Sequence, residues 1–416
     1  MSETQAPAVR HRTRRMTGRD PHESERASTP LELLFDLTFV VAFGTAANEL
    51  AHALAADHVG SGIAAFAFAT FGISWAWINF TWFASAYDTD DWVYRITTMV
   101  QMVGVLIFAL GIKPMFKSVT EHGETLDNDV IVWGYVVMRV AMIFQWLRAA
   151  KHDPDRRAAC RTYVVSIAIA QVLWCVLALV DLPVGTTFAL ILVPVLVEIG
   201  GPVIAELRRG GTPWHAHHIA ERYGLMVIIT LGEGMIGTMA AINVLAEEGL
   251  SWEIAAFTLA GTALTFGIWW SYFVVPIGDG LHAHRERSFG FGYGAIGLFG
   301  AIVAVGAGLH VAAYYLEHHS ELHLAATVLT VVVPVALFVA VLFLGYTLLT
   351  RSLDTFHLVL LALTAVVLVV PVLMAQADVE LVWCLLVLSL APWVTVVGYE
   401  TVGYRHNIEV LASLED

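Results

Sequence analysis

Charged side chains are scarce in this sequence, and cysteine is almost absent. Asp, Glu, Lys and Arg together make up 14% of the 416 residues, whereas 58% are hydrophobic. The three cysteines, Cys160, Cys175 and Cys384, are too few and too dispersed for a disulfide framework or a CxxC metal site. A soluble domain could not bury so much hydrocarbon, so this composition is typical of an integral membrane protein.

Several motifs of membrane transport are also missing. The sequence contains no GxxxxGK[ST] phosphate-binding loop, which excludes a recognisable ATP-driven pump domain. It has no TVGYG-type selectivity filter, and no apolar run carries the regular ladder of arginines found in voltage sensors. Any transport must therefore depend on other side chains within the membrane.

Twelve long apolar runs are what the sequence has instead. A helix needs about 20 apolar residues to cross a bilayer, and the runs reach that length repeatedly. We therefore predict an all-α polytopic membrane protein. Its predicted spans are 31–54, 60–85, 93–112, 130–149, 160–181, 185–206, 217–242, 251–275, 289–316, 322–349, 355–376 and 379–402.

Basic residues are distributed unequally between the two sides of the predicted helix bundle. If the N-terminus is cytoplasmic, Lys113 and Lys117 lie outside and Arg139 lies within a span, while the other Lys and Arg residues fall in the N-terminal tail or on inner loops. The outer loops are acidic. Because cytoplasmic loops of membrane proteins are enriched in Lys and Arg, we predict that both termini are cytoplasmic.

The spans fall into two similar sets of six. The run that begins at Leu37 matches the run from Leu225, and the run from Phe71 matches that from Phe266. Six spans per copy place both copies in the same orientation, which predicts a parallel repeat. The predicted segments are a disordered basic cytoplasmic tail, two six-helix repeats and a cytoplasmic C-terminal tail, at 1–30, 31–207, 212–405 and 406–416.

Ionisable residues within the spans are the candidate functional residues, because inserting one at the centre of a bilayer costs at least about 2.5–3.5 kcal/mol. Glu32 and Asp36 are four residues apart in the first span and therefore share a helix face. The seventh span carries Glu221 and Glu233. The helix between them is roughly 18 Å long, which places Glu233 near the middle of the membrane.

Arg139 in the fourth span and Glu198 in the sixth complete this set. A buried arginine beside buried acids predicts an ion pair, and Glu233 and Asp36 are the partners that we favour for Arg139. Two interpretations stay open. The charged residues either form structural ion pairs that lock the two halves together, or they line a polar pathway for protons, cations or a small polar solute.

A histidine cluster lies at the predicted cytoplasmic end of the seventh span. His217 and Glu221 are four residues apart and could share a metal ion such as Zn²⁺, with His218 as a further weak candidate. We favour an interfacial segment anchored by His and Trp, because HExxH and similar ligand frameworks are absent. We expect no resident metal, no cofactor and no nucleic-acid partner.

Two stretches, PLELLFDLTFVVAF from Pro30 and HHIAERYGLMVIITLGEGMIG from His217, resemble the hallmark motifs of the bacterial low-temperature-requirement protein A (LtrA) family. The resemblance extends from Leu31 to about Arg405, and Leu34 stands where the family often has Phe. The matching positions are Glu32, Phe35, Asp36, Phe39, His218, Glu221, Arg222, Gly224, Leu231, Gly232 and Glu233.

This resemblance implies a protein of the bacterial cytoplasmic membrane with a role in growth at low temperature, but it implies no molecular mechanism. From the residues we expect a secondary transporter or ion-conducting protein in which Asp36 and Glu233 bind a cation or proton and Arg139 supplies the counter-charge. The alternatives are a membrane-embedded enzyme that acts on a lipid through the histidine cluster, and a non-catalytic accessory protein. Membrane lipids are the other expected partners.

Overall fold

The computed structural model describes residues 13–23, 26–121, 123–247, 252–350 and 355–403, and these residues form a helical bundle. Within them, 12 helices are long and apolar enough to cross a membrane. The prediction of an all-α, multi-pass membrane protein is therefore confirmed.

The helices follow the predicted spans, with one short helix between the eighth and ninth. They are α1 (Pro30–Ala55), α2 (Val59–Tyr87), α3 (Trp92–Thr120), α4 (Asp129–His152), α5 (Arg157–Leu179), α6 (Val184–Arg208), α7 (Ala216–Glu247), α8 (Trp252–Phe273), α9 (Ile277–Ala283), α10 (Ser288–Leu316), α11 (Leu324–Thr350), α12 (Thr355–Gln376), α13 (Leu381–Leu388) and α14 (Ala391–Gly398). The last predicted span is divided into α13 and α14. Pro392 lies in the first turn of α14, where its missing N–H removes no helical hydrogen bond.

The start of α1 is set by a capping box. Thr29 is the N-cap, its backbone N–H donates to Glu32 Oε2 at 2.7 Å, and its Oγ1 accepts from the Glu32 backbone N–H at 3.3 Å. Reciprocal bonds of this kind satisfy the free donors of a first helical turn. The capping box therefore fixes how deep the acids of α1 lie. We call the end of the bundle where α1 begins the inner end, and the opposite end the outer end.

Helix α10 is the most central helix of the bundle. It packs against α7 and α11 within the second half and against α1 and α2 of the first half. In its most apolar stretch 78% of the residues are buried, compared with 28% in α6 and α12, which lie at the periphery. Glycines such as Gly306 let α7 approach α10 closely, as small residues commonly do between membrane helices.

Each half of the chain uses a similar order of helix neighbours. In the first half α1 packs on α2 and α3, α3 packs on α4, α4 on α5 and α5 on α6. In the second half α7 packs on α8 and α10, α10 packs on α11, α11 on α12 and α12 on α13 and α14. A parallel repeat would produce this order of neighbours, and the repeat itself stays a prediction.

A segment before α1 lies across the inner end of the bundle. This inner strap consists of residues 13–23 and 26–29. Met16 is fully buried, and the guanidinium of Arg26 donates to the Ala84 carbonyl oxygen at 2.8 Å. The packing differs from the predicted disorder of the N-terminal tail, because buried acceptors at the inner end bind strap residues that composition alone marks as solvated. The first part of that tail, 1–12, lies outside the described residues.

Candidate functional site

The two halves of the protein are joined near the inner end by four buried charged or titratable residues. This inner cluster consists of Glu32 and Asp36 on α1 and His218 and Arg222 on α7. Arg222 Nη2 donates to Asp36 Oδ1 at 2.5 Å, and Trp77 Nε1 on α2 donates to the same oxygen at 2.7 Å. The charge of Asp36 is therefore compensated within the cluster.

Glu32 shares Arg222 with Asp36 and also contacts His218. Its Oε1 atom lies 3.2 Å from His218 Nε2 and 3.7 Å from Arg222 Nη1. All four side chains of the inner cluster are essentially inaccessible to solvent. An ion-pair network across α1 and α7 at this depth holds the two halves in one register, which agrees with the structural interpretation of these acids.

A second buried ion pair lies inside the first half of the chain. Arg139 Nη2 on α4 donates to Glu198 Oε2 on α6 at 2.9 Å, and Trp75 Nε1 donates to the same oxygen at 2.7 Å. The other carboxylate oxygen, Oε1, accepts from the Tyr135 hydroxyl at 3.0 Å and from Gln171 Nε2 at 3.2 Å. Four donors thus provide each Glu198 carboxylate oxygen with two hydrogen bonds.

The prediction that Arg139 pairs with Asp36 or Glu233 is wrong. Asp36 lies six residues from the inner end of α1, whereas Arg139 lies 13 residues from the inner end of α4. The difference of seven residues corresponds to roughly 10 Å of depth. Glu233 is remote for a different reason, because α4 packs against α2, α3 and α5 and not against the helix that carries Glu233.

Glu233 occupies the point where α1, α7 and α10 converge. The residue is 3% exposed. A β-carbon built on Gly44 of α1 would lie 3.0 Å from its Oε1 atom, and one built on Gly306 of α10 would lie 2.6 Å from its backbone carbonyl carbon. Among the described residues no basic side chain lies within ion-pair distance of Glu233. Of the acids predicted within the spans, Glu233 is the one buried without a compensating charge.

Polar groups continue from Glu233 toward the outer end. This outer stripe consists of Asn48 and His52 on α1 and His310 and Tyr314 on α10. The Tyr314 ring stacks on His52 with centroids 5.1 Å apart, and its hydroxyl donates to Asn48 Oδ1 at 3.5 Å. His310 lies one helical turn beyond Gly306 and is partly buried. Polar and titratable side chains on α1 and α10 thus lie between the level of Glu233 and the outer end.

On the inner side of Glu233, α1 contributes two buried aromatic side chains. Phe39 and Phe43 of α1 lie between Asp36 and Gly44, and both rings are 1% exposed. The eight residues from Asp36 to Gly44 span roughly 12 Å of helix. Two buried aromatic rings of α1 therefore lie at depths between the inner cluster and Glu233.

The inner end of α7 holds the remaining candidates. Glu221 Oε1 accepts a hydrogen bond from the Ser28 backbone N–H at 3.2 Å, and the His217 ring stacks on His282 with centroids 4.9 Å apart. In the part of the chain that the structure describes, no group of three or more His, Cys, Asp or Glu side chains could hold a metal ion.

Asp88 follows the last residue of α2 at the inner end. Burial and the Glu32 carboxylate raise the pKa of Asp88 to about 6, although Arg26 opposes this shift.

Comparison with known proteins agrees with these motifs. Residues 27–392 match the family model described as bacterial low temperature requirement A protein (LtrA). The chain belongs to the LtrA family. It is 28% identical over 262 residues to the uncharacterized protein RA0937 of Rhizobium meliloti (strain 1021), and the match covers 60% of this chain and 59% of that relative. No solved structure matches the chain.

The two LtrA motifs of the sequence meet in space at the inner cluster. The first motif supplies Glu32 and Asp36, and the second supplies His218 and Arg222. Sequence reasoning missed that Arg222 is the partner of Asp36. The equal depth of Asp36 and Arg222 in the membrane could have indicated this pairing, because each lies six residues after the first residue of its helix.

Replacing Gly306 with alanine is expected to destabilise this LtrA protein. The added β-carbon would press on the backbone of Glu233 at 2.6 Å, and overpacking of this kind typically costs about 1–3 kcal/mol. Gly232→Ala is the matched control, since a β-carbon there meets no other group within 4 Å and alanine favours the helix by about 1 kcal/mol. The midpoint of thermal unfolding in detergent should fall for the first variant only. Equal midpoints would contradict the close contact of α7 and α10.

Proposed function

We propose that this LtrA protein moves protons, or a small solute coupled to protons, across the membrane, with Glu233 as the proton-binding group. The observation that carries the proposal is a carboxylate buried at the convergence of three helices with no basic partner among the described residues. An ionised carboxylate without a partner is strongly disfavoured in an apolar environment. Glu233 must therefore hold a proton or bind a cation.

A proton fits the surroundings of Glu233 better than a bare metal cation does. Hard divalent cations take six or more oxygen ligands, and a single carboxylate supplies two. The outer stripe contains His52 and His310, and imidazole groups take up and release protons near neutral pH more readily than other side chains. These histidines supply a route for protons between Glu233 and the outer end.

Transport also requires that Glu233 become accessible from the inner end. In this proposal the buried rings of Phe39 and Phe43 close that side. Because α1 and α7 stay joined at the inner cluster, opening requires that the two rings move aside rather than that α1 slides along α7. The membrane potential supplies about 2.3 kcal/mol per charge per 100 mV to drive the proton inward.

The other predicted site residues take supporting roles in this proposal. Asp36 and Glu32 are held by Arg222 and His218, and Glu198 is held by Arg139. Because these charges are already compensated, we assign them to the packing of the bundle. The enzyme alternative is weaker, since Glu221 at the histidine cluster binds the inner strap and the described residues hold no metal-binding group.

Proton flux into proteoliposomes with an internal pH-sensitive dye tests the role of Glu233. We expect an imposed membrane potential to acidify the vesicles containing the unmodified protein, and Glu233→Gln to abolish this flux, because the amide keeps the shape but cannot bind a proton. Glu49→Gln is the matched control. This residue lies on α1 near the outer end, is partly exposed and is not in ion-pair contact with the described basic residues.

The folded state of each variant is checked by size-exclusion chromatography and tryptophan fluorescence. Flux that persists in a folded Glu233→Gln variant would refute the proposed role of Glu233. Absence of flux in the unmodified protein, with and without added Na⁺ or K⁺ gradients, would instead favour the enzyme and accessory alternatives.

A further inference from the structure

A cleft of about 580 Å³ opens on the membrane-facing side of the helix bundle, away from Glu233. Helices α1 and α2 form one wall, α11 forms the other, and α10 forms the floor. The side chains lining it are almost all apolar. Phe66 on α2 and Ala301 on α10 are buried, whereas Ile63 and Val333 at the rim are 53% and 58% exposed.

The cleft exists because α10 presents small residues between two larger helices. Both α2 and α11 pack on α10, and the α10 face between them carries Gly297, Gly300 and Ala304. Larger side chains at these positions would fill the space. Small residues usually allow another helix to approach, but no helix of the described chain covers this face.

The length of the cleft matches one leaflet of a bilayer. It extends along α2 from Val59 to Thr70 and along α11 from Ala326 to Leu337. Each stretch rises roughly 16 Å at 1.5 Å per residue. The hydrocarbon core of a bilayer is about 30 Å thick, so the cleft runs from the outer end of the spans to about the middle of the membrane.

We propose that this cleft binds one hydrocarbon chain of a bilayer lipid from the leaflet at the outer end. Its rim is continuous with the exposed apolar belt of the transmembrane helices, which contacts lipid. A lipid chain is the apolar group that is present along this belt, and the cleft has the length of such a chain. The bound chain completes the packing between α2 and α11 in place of a protein side chain. This inference is independent of the proposed proton transport.

A photoreactive phospholipid with a diazirine in the middle of its acyl chain tests the proposal. The full-length protein is reconstituted in bilayers containing this lipid, irradiated, digested and mapped by mass spectrometry. We expect labels concentrated on peptides around Ala67 and Val333. Filling the cleft with Ala67→Phe and Ala304→Phe should remove these labels. The same exchanges on the exposed face of α12, Ala362→Phe and Ala365→Phe, should leave them unchanged.

Two results would overturn the lipid assignment. Labels spread evenly over the cleft and the exposed face of α12 would show that the cleft holds no chain in preference to the bulk bilayer. Absence of labels in the cleft, together with chemical cross-links between two copies of the protein at this face, would assign the cleft to a second copy. Ala67→Phe alone, at an exposed position, replaces the double variant if the latter does not fold, and it should weaken labelling in the same direction.

Discussion

Arg222→Leu is expected to prevent recovery of folded protein. The substitution removes the guanidinium that contacts both Asp36 and Glu32 and leaves two buried carboxylates, of which Glu32 keeps His218 as an ion-pair partner. Removing one member of a buried ion pair typically costs about 3–5 kcal/mol, mostly because the remaining charge has no partner. That loss is a large fraction of the free energy of unfolding of many proteins. The measurement is the monodisperse yield in detergent and the midpoint of thermal unfolding.

Two further variants separate the charge effect from a general effect of leucine. Arg208→Leu makes the same exchange at an exposed position near the inner end of α6 and should have little effect. Adding Asp36→Asn to Arg222→Leu removes one of the two stranded charges and should recover part of the yield. If Arg222→Leu folds as well as Arg208→Leu, the inner cluster does not hold the halves together.

Arg139→Met is expected to destabilise the first half of the protein by a similar amount. Glu198 would keep its bonds from Trp75, Tyr135 and Gln171 but would lose the positive charge that balances it. The double variant Arg139→Met with Glu198→Gln should recover most of the stability, since replacing both members of a buried pair by neutral groups is often close to neutral.

The double variant also tests whether the Arg139–Glu198 pair serves packing while Glu233 serves transport. Because Arg139 and Glu198 lie within the first half and away from Glu233, we expect the folded double variant to retain proton flux. Unfolding is followed by heating in detergent, and flux by the liposome measurement described for Glu233. Loss of flux in a folded double variant would place the Arg139–Glu198 pair on the transport pathway, contrary to our assignment.

The spans could be predicted from the sequence because hydrocarbon length is a local property. A helix must cover the bilayer core wherever it lies in the bundle, so the bounds of α1, α7 and α10 follow from the apolar runs themselves. The resemblance to LtrA proteins was also visible, since charged residues within apolar runs, such as Asp36 and Glu233, are uncommon and therefore distinctive.

The partners of the buried charges could not be predicted in the same way. Which helices touch is a property of the tertiary packing, and the sequence does not show that α4 packs far from α7. The sequence therefore does not indicate that Arg139 binds Glu198 rather than Asp36 or Glu233. The order of the inner strap could not be predicted for a related reason. Its arginine-rich composition is typical of a disordered tail, and the sequence does not show that a buried acceptor such as the Ala84 carbonyl oxygen binds Arg26.

The separation of Asp36 and Arg222 along the chain has a consequence for biosynthesis. The two residues are 186 positions apart, and at about 5–20 residues per second a ribosome needs roughly 10–40 s to make the chain between them. During that interval α1 carries two acids without their arginine. The newly made helix must keep Asp36 protonated, remain near the headgroups or be held by the insertion machinery until α7 arrives. The first six helices are therefore not a finished folding unit when they leave the ribosome.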